Sequence, residues 1–144
     1  MKVLDLFSGT GSVSKICAEK GWDVISVDIS DTYENMTHLV DILAWDYKIY
    51  DKGFFDIIFA SPPCQSFSSM LNITTSKGDI EKRMQEEGLP LLYKAREIID
   101  YFKPKYFFIE NPQTGRMKRF ITDLPFYDVF YCMYGFNYKK PTRI

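Results

Sequence analysis

Three cysteines and one histidine in 144 residues leave little room for several kinds of chemistry. Cys17, Cys64 and Cys132 are odd in number and lack C-x-x-C spacing, so neither a disulfide framework nor a zinc site is expected, and no metal is assigned. His38 has no evident partner and is given no role. No apolar run reaches the roughly 18 residues that a membrane span requires. The opening residues Met1-Lys2-Val3-Leu4-Asp5 set an acid where a secretory signal would carry its apolar stretch. Low-complexity segments and internal repeats are absent too. Together these absences point to a reducing cytosol.

What is present is a chain rich in core material. Apolar residues make up 46% and aromatics 17%, which suits one well-packed domain over residues 1–144. The net charge of −1 hides an asymmetry. Residues 1–60 carry five lysines against ten acids, whereas residues 61–144 carry 13 cations against nine acids. A basic second half beside an acidic first half fits a protein whose second half meets an anion.

Short β-rich runs alternate with helical patterns. Strands are predicted at residues 3–7, 23–28, 37–42, 54–60, 106–110 and 127–134. Helices are predicted at residues 13–20, closed by Gly21, at 89–101, stopped by Pro104, and at 115–121. That alternation means a mostly parallel, doubly wound α/β sheet, whose ligands lie beyond the carboxyl ends of the strands. Ser8, Gly9 and Gly11 follow the first strand, Asp28 ends the second and Asp41 the third. Cys64 follows the fourth and Glu110 ends the fifth.

"DLFSGTGS" sets Gly9 and Gly11 between a strand and a helix, a nucleotide cradle of a general kind. It lacks the third glycine of a dinucleotide fingerprint and the Lys-Ser/Thr of a phosphate-binding loop, so a nucleoside without pyrophosphate suits it better. Asp28, 17 residues beyond Gly11, stands where an acid accepts hydrogen bonds from ribose hydroxyls. Asp41 is a candidate acceptor for an adenine amino group, with Ile42 packing on the ring. In "ASPPCQSFS", Pro62 and Pro63 stiffen the chain ahead of Cys64, a placement that packing alone does not require but presentation of a sulfur does.

"DLFSGTGS", "SPPCQSFS" and "ENPQTG", in this order, resemble the DNA (cytosine-5)-methyltransferase family, the second stretch being its most specific signature. The resemblance runs over nearly the whole chain. It implies a class I, Rossmann-like methyltransferase fold using S-adenosylmethionine and releasing S-adenosylhomocysteine. It further implies that Phe7 lies against the adenine and that Phe7, Ser8, Gly9, Gly11, Asp28, Ile29, Asp41, Ile42 and Pro62 form the cofactor site. Pro63, Gln65, Ser66, Asn111, Lys140 and Arg143 would meet DNA, and residues 66–79 would form a mobile lid. Cys64 and Glu110 would be catalytic. The chemistry accounts for these residue types: C5 of cytosine is a poor nucleophile, and a thiolate added at C6 loads C5 with electron density. Glu110 at N3 would stabilise the charge so generated. Inside a duplex C6 is out of reach, so the cytosine must be flipped out.

The chain departs from the family in three places. Pro112 follows Asn111 where the family has valine. Tyr138 stands where the family has glutamine, Lys140 at the first arginine and Thr142 at the second, with Arg143 one place late. The family's last antiparallel strand and its target-recognition domain would lie beyond Ile144. These departures keep two other readings open: a non-catalytic remnant that binds cofactor or a partner, and a methyltransferase acting on RNA or a free pyrimidine nucleotide. A complementing subunit carrying the recognition domain is a further expected partner.

Overall fold

The computed structural model describes residues 1–68, 76–135 and 137–144. In chain order the main elements are β1 (Lys2–Leu6), α1 (Ser12–Glu19), β2 (Asp23–Asp28), β3 (His38–Leu39), β4 (Ile57–Ala60), α2 (Lys77–Arg83), α3 (Leu89–Phe102), β5 (Tyr106–Ile109), β6 (Asn111–Pro112), β7 (Asp128–Phe130) and β8 (Pro141–Arg143). Five strands form a parallel sheet in the order β3-β2-β1-β4-β5.

β1 is central and buried on both faces, as a parallel strand with helices on either side should be. Leu4 and Leu6 point into the main core with Ile58, Ala60 and Ile109, against the stripe Leu92, Ala95, Ile98, Ile99 and Phe102 of α3. Val3 and Asp5 alternate onto the opposite face, where Asp5 meets Ser14 of α1. Rings fill the space below: Phe55 and Phe102 meet edge to face at 4.8 Å, and Tyr47, Tyr50 and Tyr101 join them. His38 is part of this layer, its Nε2 lying 2.8 Å from the Tyr50 hydroxyl, a partner that the sequence did not reveal.

Several predicted elements shrink or move. The third strand pairs only over His38–Leu39, because Asp41 turns the chain through its own side chain, accepting from Leu43 N at 2.9 Å. The helix expected at 115–121 is a single 3-10 turn, Met117–Arg119. The strand expected at 127–134 is not in the parallel sheet. Only Asp128–Phe130 is extended, and Tyr131–Tyr134 closes into a 3-10 turn ended by Gly135 at φ 89°. β7 pairs antiparallel with β8, which pairs in turn with β6, in a separate three-stranded sheet ordered β6-β8-β7. The antiparallel strand that begins at Pro141 thus belongs to this smaller sheet and does not add to the parallel one among the described residues.

β5 pairs only with β4 among the described strands, and Tyr106, Phe107 and Phe108 are all exposed. A cavity of about 680 Å³ opens against it, lined by Phe107, Ile109, Leu124, Phe126 and Ile144 among others but by neither Cys64, Glu110 nor the loop glycines. No helix among the described residues is long and apolar enough to cross a membrane.

Candidate active site

The glycine loop is built on four hydrogen bonds donated by backbone amides. Phe7 leaves β1 with a positive φ of 60°, an uncommon conformation for a bulky residue, and its amide donates to Val27 O at 2.9 Å. Gly9 N donates to Asp28 Oδ2 and Ser30 N to Asp28 Oδ1, both at 2.8 Å. Asp28 thus ties the first loop to the end of β2, and its carboxylate retains lone pairs for ribose hydroxyls. Gly11, at φ 72°, donates to Ser8 O at 2.8 Å and occupies the position before α1. A Cβ there would fall 2.5 Å from Cδ2 of Tyr33, so glycine is required here for a ring of the protein itself. Tyr33 is a site-building residue that sequence reasoning missed; nothing in its local pattern marks it.

Beneath the loop lies Asp5, only 2% exposed. Its Oδ2 accepts from Ser14 Oγ at 2.6 Å and Ser14 N at 3.2 Å, satisfying one amide of the first turn of α1. Burial pushes its carboxyl up from an ordinary 3.8 to about 6, against the lowering effect of Ser14. Ser8 Oγ is close enough to add to that lowering effect, yet it is buried without a well-formed hydrogen bond among the described residues. A raised carboxyl pKa means that the folded chain holds the proton more tightly than the unfolded one. Its contribution to stability therefore falls as pH rises from about 4 to about 6. With roughly 1.4 kcal/mol per pH unit, Asp5→Asn should gain on the native chain by about 2–3 kcal/mol between pH 4 and pH 7. Urea melts of both proteins at the two pH values test this; a difference independent of pH contradicts it.

The remaining cofactor candidates separate. Asp41 and Phe7 are half-buried and Ile29 is 73% exposed, all available to a ligand. Ile42 is buried in the core cluster, which leaves little of it to pack on a ring. Pro62 is buried and Pro63 exposed. A buried Ser8 Oγ with no well-formed hydrogen bond among the described residues, a ribose-competent Asp28 and the apolar surfaces of Phe7 and Ile29 fit a nucleoside such as that of S-adenosylmethionine.

Cys64 is held by the residues after it as well as by the prolines. Phe67 N donates to Cys64 O at 3.0 Å, closing the turn Gln65–Phe67, and Phe67 itself is 1% exposed in the core. Phe67 O accepts from Arg116 N at 2.9 Å, and the Phe67 ring occupies the space where a Cβ on Gly88 would lie, at 2.7 Å. Cys64 and Gln65 are left exposed at the tip of this anchored turn. Ser66, expected to meet DNA, is instead buried, and its hydroxyl donates to Glu87 Oε2 at 3.0 Å. It fastens the turn to the π-helical segment Met84–Gly88. Of the expected lid, residues 69–75 lie outside the described residues. Ser76 caps α2 by accepting from Asp79 N at 3.2 Å, and Ser76-x-x-Asp79 is the capping signal by which the sequence could have disclosed that helix.

Glu110 follows β5 directly, and its amide donates to Ala60 O at 2.8 Å. Ala60 is paired with Ile109, so the Cys64 turn and Glu110 leave adjacent strands at the same edge. Lys140 Nζ stands 3.6 Å from Glu110 Oε1. Burial alone would lower the Lys140 ammonium, but Glu110, the Tyr131 hydroxyl and Cys64 together hold it above its usual value. Glu110 Oε1, Asn111 Oδ1 and Thr142 Oγ1 are buried and make no hydrogen bonds among the described residues. Glu110 Oε1 has the Lys140 ammonium as its ion-pair partner, whereas the Asn111 and Thr142 oxygens along the β6–β8 seam suit a ligand that donates. Arg143, expected at phosphate, is engaged within the chain: its guanidinium forms two hydrogen bonds with Asp128 at 2.8 and 2.9 Å and lies 3.7 Å over the Phe126 ring. Arg143 and Gln113 hold the Asp128 carboxyl down to about 2. Cys17 is buried in α1, whereas Cys132 is exposed in the Tyr131–Tyr134 turn.

A parallel sheet with a glycine loop after β1, an acid after β2 and reactive groups after β4 and β5 has the architecture of a class I methyltransferase. Its backbone resembles S. pombe Dnmt2 methyltransferase, with TM-score 0.56 and 17% identity over 99% of this chain and 48% of that one. It also resembles a SAM dependent methyltransferase from Archaeoglobus fulgidus, with TM-score 0.52 and 18% identity over 90% of this chain and 63% of that one. The model of the C-5 cytosine-specific DNA methylase family matches residues 1–118. A probable DNA (cytosine-5)-methyltransferase of Frog virus 3 (isolate Goorha) is 46% identical over 152 residues, covering all of this chain and 69% of that protein. The chain belongs to the C-5 cytosine-specific DNA methylase family.

Proposed function

We propose that this chain carries the catalytic core for methyl transfer from S-adenosylmethionine to C5 of a cytosine flipped out of duplex DNA. The observation that carries the reading is the exposed Cys64 on its anchored turn, beside Glu110 and Lys140. S-adenosylmethionine supplies an electrophilic methyl group and leaves as S-adenosylhomocysteine. Phe7, Ser8, Gly9, Asp28, Ile29 and Asp41 hold its nucleoside. The Cys64 thiolate forms a bond to C6, and the C5–C6 π pair moves to C5, which takes the methyl group. Glu110 at N3 stabilises the charge that this addition places on the ring, and Lys140 keeps a cation within reach of it. Loss of the C5 proton to a base re-forms the double bond and expels the thiolate. Gln65, Pro63 and Asn111 border the base. A complementing segment or chain reads the target sequence, consistent with a viral relative longer than the portion matched. A viral relative also suits action in a host cytosol.

Transfer of labelled methyl groups to a cytosine-containing duplex tests this. Glu110→Gln should lower the rate by roughly 10²–10⁴-fold, the usual range for losing a positioned proton-transfer group, with cofactor affinity unchanged. Equal rates for the two proteins contradict the role of Glu110. Cofactor binding without transfer to any substrate supports the non-catalytic reading, and transfer to RNA or a free nucleotide but not to DNA supports the other.

A further inference from the structure

The Cys64 turn is anchored on a helical defect. Between α2 and α3 the backbone makes a π-turn over Met84–Gly88, a rare geometry that inserts one extra residue into the helical path. Two consecutive residues of that segment meet the turn from behind. Gly88 lets the Phe67 ring come so close that a Cβ would stand 2.7 Å from two of its carbons and 3.2 Å from Ser66 Cβ. Glu87 Oε2 accepts from Ser66 Oγ at 3.0 Å and from Nε of Arg83, in the last turn of α2, at 3.1 Å.

Ser66 is 6% exposed, and a buried hydroxyl must find an acceptor to replace the water it has lost. Glu87 supplies that acceptor. Arg83 and Ser66 hold its carboxyl below the usual value, so it stays ionised near neutrality. The Arg83–Glu87 ion pair is half exposed, and such a pair adds little to stability. What the carboxylate fixes is direction. Ser66 lies two residues beyond Cys64, within the single turn closed by Phe67 N and Cys64 O, so any tilt of Ser66 passes to the sulfur. We propose that Glu87 is a positioning residue for the nucleophile: by holding Ser66 from behind, it sets the direction in which Cys64 presents its sulfur to the pyrimidine. The inference rests on the methyl-transfer reading for the role of that sulfur. Glu87 acts through Ser66 and takes no part in the bond changes.

Steady-state methyl transfer to a cytosine-containing duplex and amide hydrogen exchange of the full chain without DNA test this together. Glu87→Ala should lower kcat by about 10- to 100-fold, the loss that a misplacement of about 1 Å brings, with KM for S-adenosylmethionine unchanged. Ser66→Ala should cost the same, and the double variant no more than either single one, because each removes the same hydrogen bond. Glu87→Gln, whose amide oxygen can still accept from Ser66, should recover most of the native rate. In the chain without DNA, Glu87→Ala should speed exchange of the Phe67 and Ser68 amides, which close the turn, by roughly tenfold or more, and leave those of Gly9 and Gly11 unchanged. Native kcat in Glu87→Ala overturns the assignment and leaves the methyl-transfer reading standing. Unaltered exchange at Phe67 overturns it too, as does a Glu87→Gln variant as slow as Glu87→Ala. A native chain that transfers no methyl group, with exchange at Phe67 still dependent on Glu87, removes the methyl-transfer reading and keeps Glu87 as the residue that holds the Cys64 turn.

Discussion

Replacing Cys64 with serine should stop methyl transfer, lowering the rate by about 10⁴-fold or more, while leaving the fold and the cofactor site intact. The sulfur sits on an exposed turn, and the bond that closes this turn, Phe67 N to Cys64 O, is made by backbone atoms that serine retains. The cofactor loop hangs from β1 and β2, away from the turn's anchorage in Phe67 and Gly88. An exposed, nearly isosteric change of this kind should alter stability by no more than about 0.5 kcal/mol. Chemistry is affected because a serine hydroxyl gives up its proton far less readily than a thiol and is the weaker nucleophile toward C6. Initial rates with labelled cofactor, set beside melting curves, check both halves of the expectation. A residual rate within tenfold of the native chain contradicts it.

Gly11→Ala should produce the largest loss of stability of any single-methyl substitution near the cofactor loop. The backbone there has φ 72°, where an L side chain costs about 1–2 kcal/mol. The added Cβ would stand 2.5 Å from Cδ2 and 2.6 Å from Cγ of Tyr33, ring atoms close to the backbone that do not swing away easily. Tyr33 is 7% exposed, so its displacement disturbs packed neighbours, at a further cost of about 1–3 kcal/mol. The expected total is roughly 2–5 kcal/mol, accompanied by a loss of cofactor affinity, because Gly11 N and Ser8 O define the loop's turn. A double-mutant cycle isolates the cause: Gly11→Ala should cost less in a Tyr33→Ala background, the difference being the clash itself. Urea unfolding of the four proteins measures it, and a Gly11→Ala cost below about 0.5 kcal/mol refutes the account.

Much of this architecture was legible because local chemistry and the global fold agree. The residues of β2 and α3, and the stops at Gly21 and Pro104, came from periodicity and breakers that tertiary packing left unaltered. The order of polar residues at strand ends already placed Asp28, Cys64 and Glu110 at one edge. Interactions distant in sequence were not legible. Nothing local says that Tyr33 will lie on Gly11, that Ser66 will turn inward to Glu87, or that Arg143 will be taken by Asp128. Asp128–Phe130 has a pattern that suits either sheet, and its pairing with Pro141–Arg143 assigned it to the smaller one. α2 was hidden by Gly78 and by a largely charged surface, although its Ser76 cap was in plain view.

The central claim is that Cys64 attacks C6 of a cytosine, and mechanism-based trapping tests it most directly. The full chain is incubated with S-adenosylmethionine and a duplex carrying 5-fluorocytosine, where fluorine replaces the proton that must leave C5. Mass spectrometry of the native chain should show a covalent DNA adduct on the peptide containing Cys64, and Cys64→Ser should show none. Cofactor bound at the glycine loop with no adduct on native Cys64 would contradict the claim that this chain performs the chemistry itself.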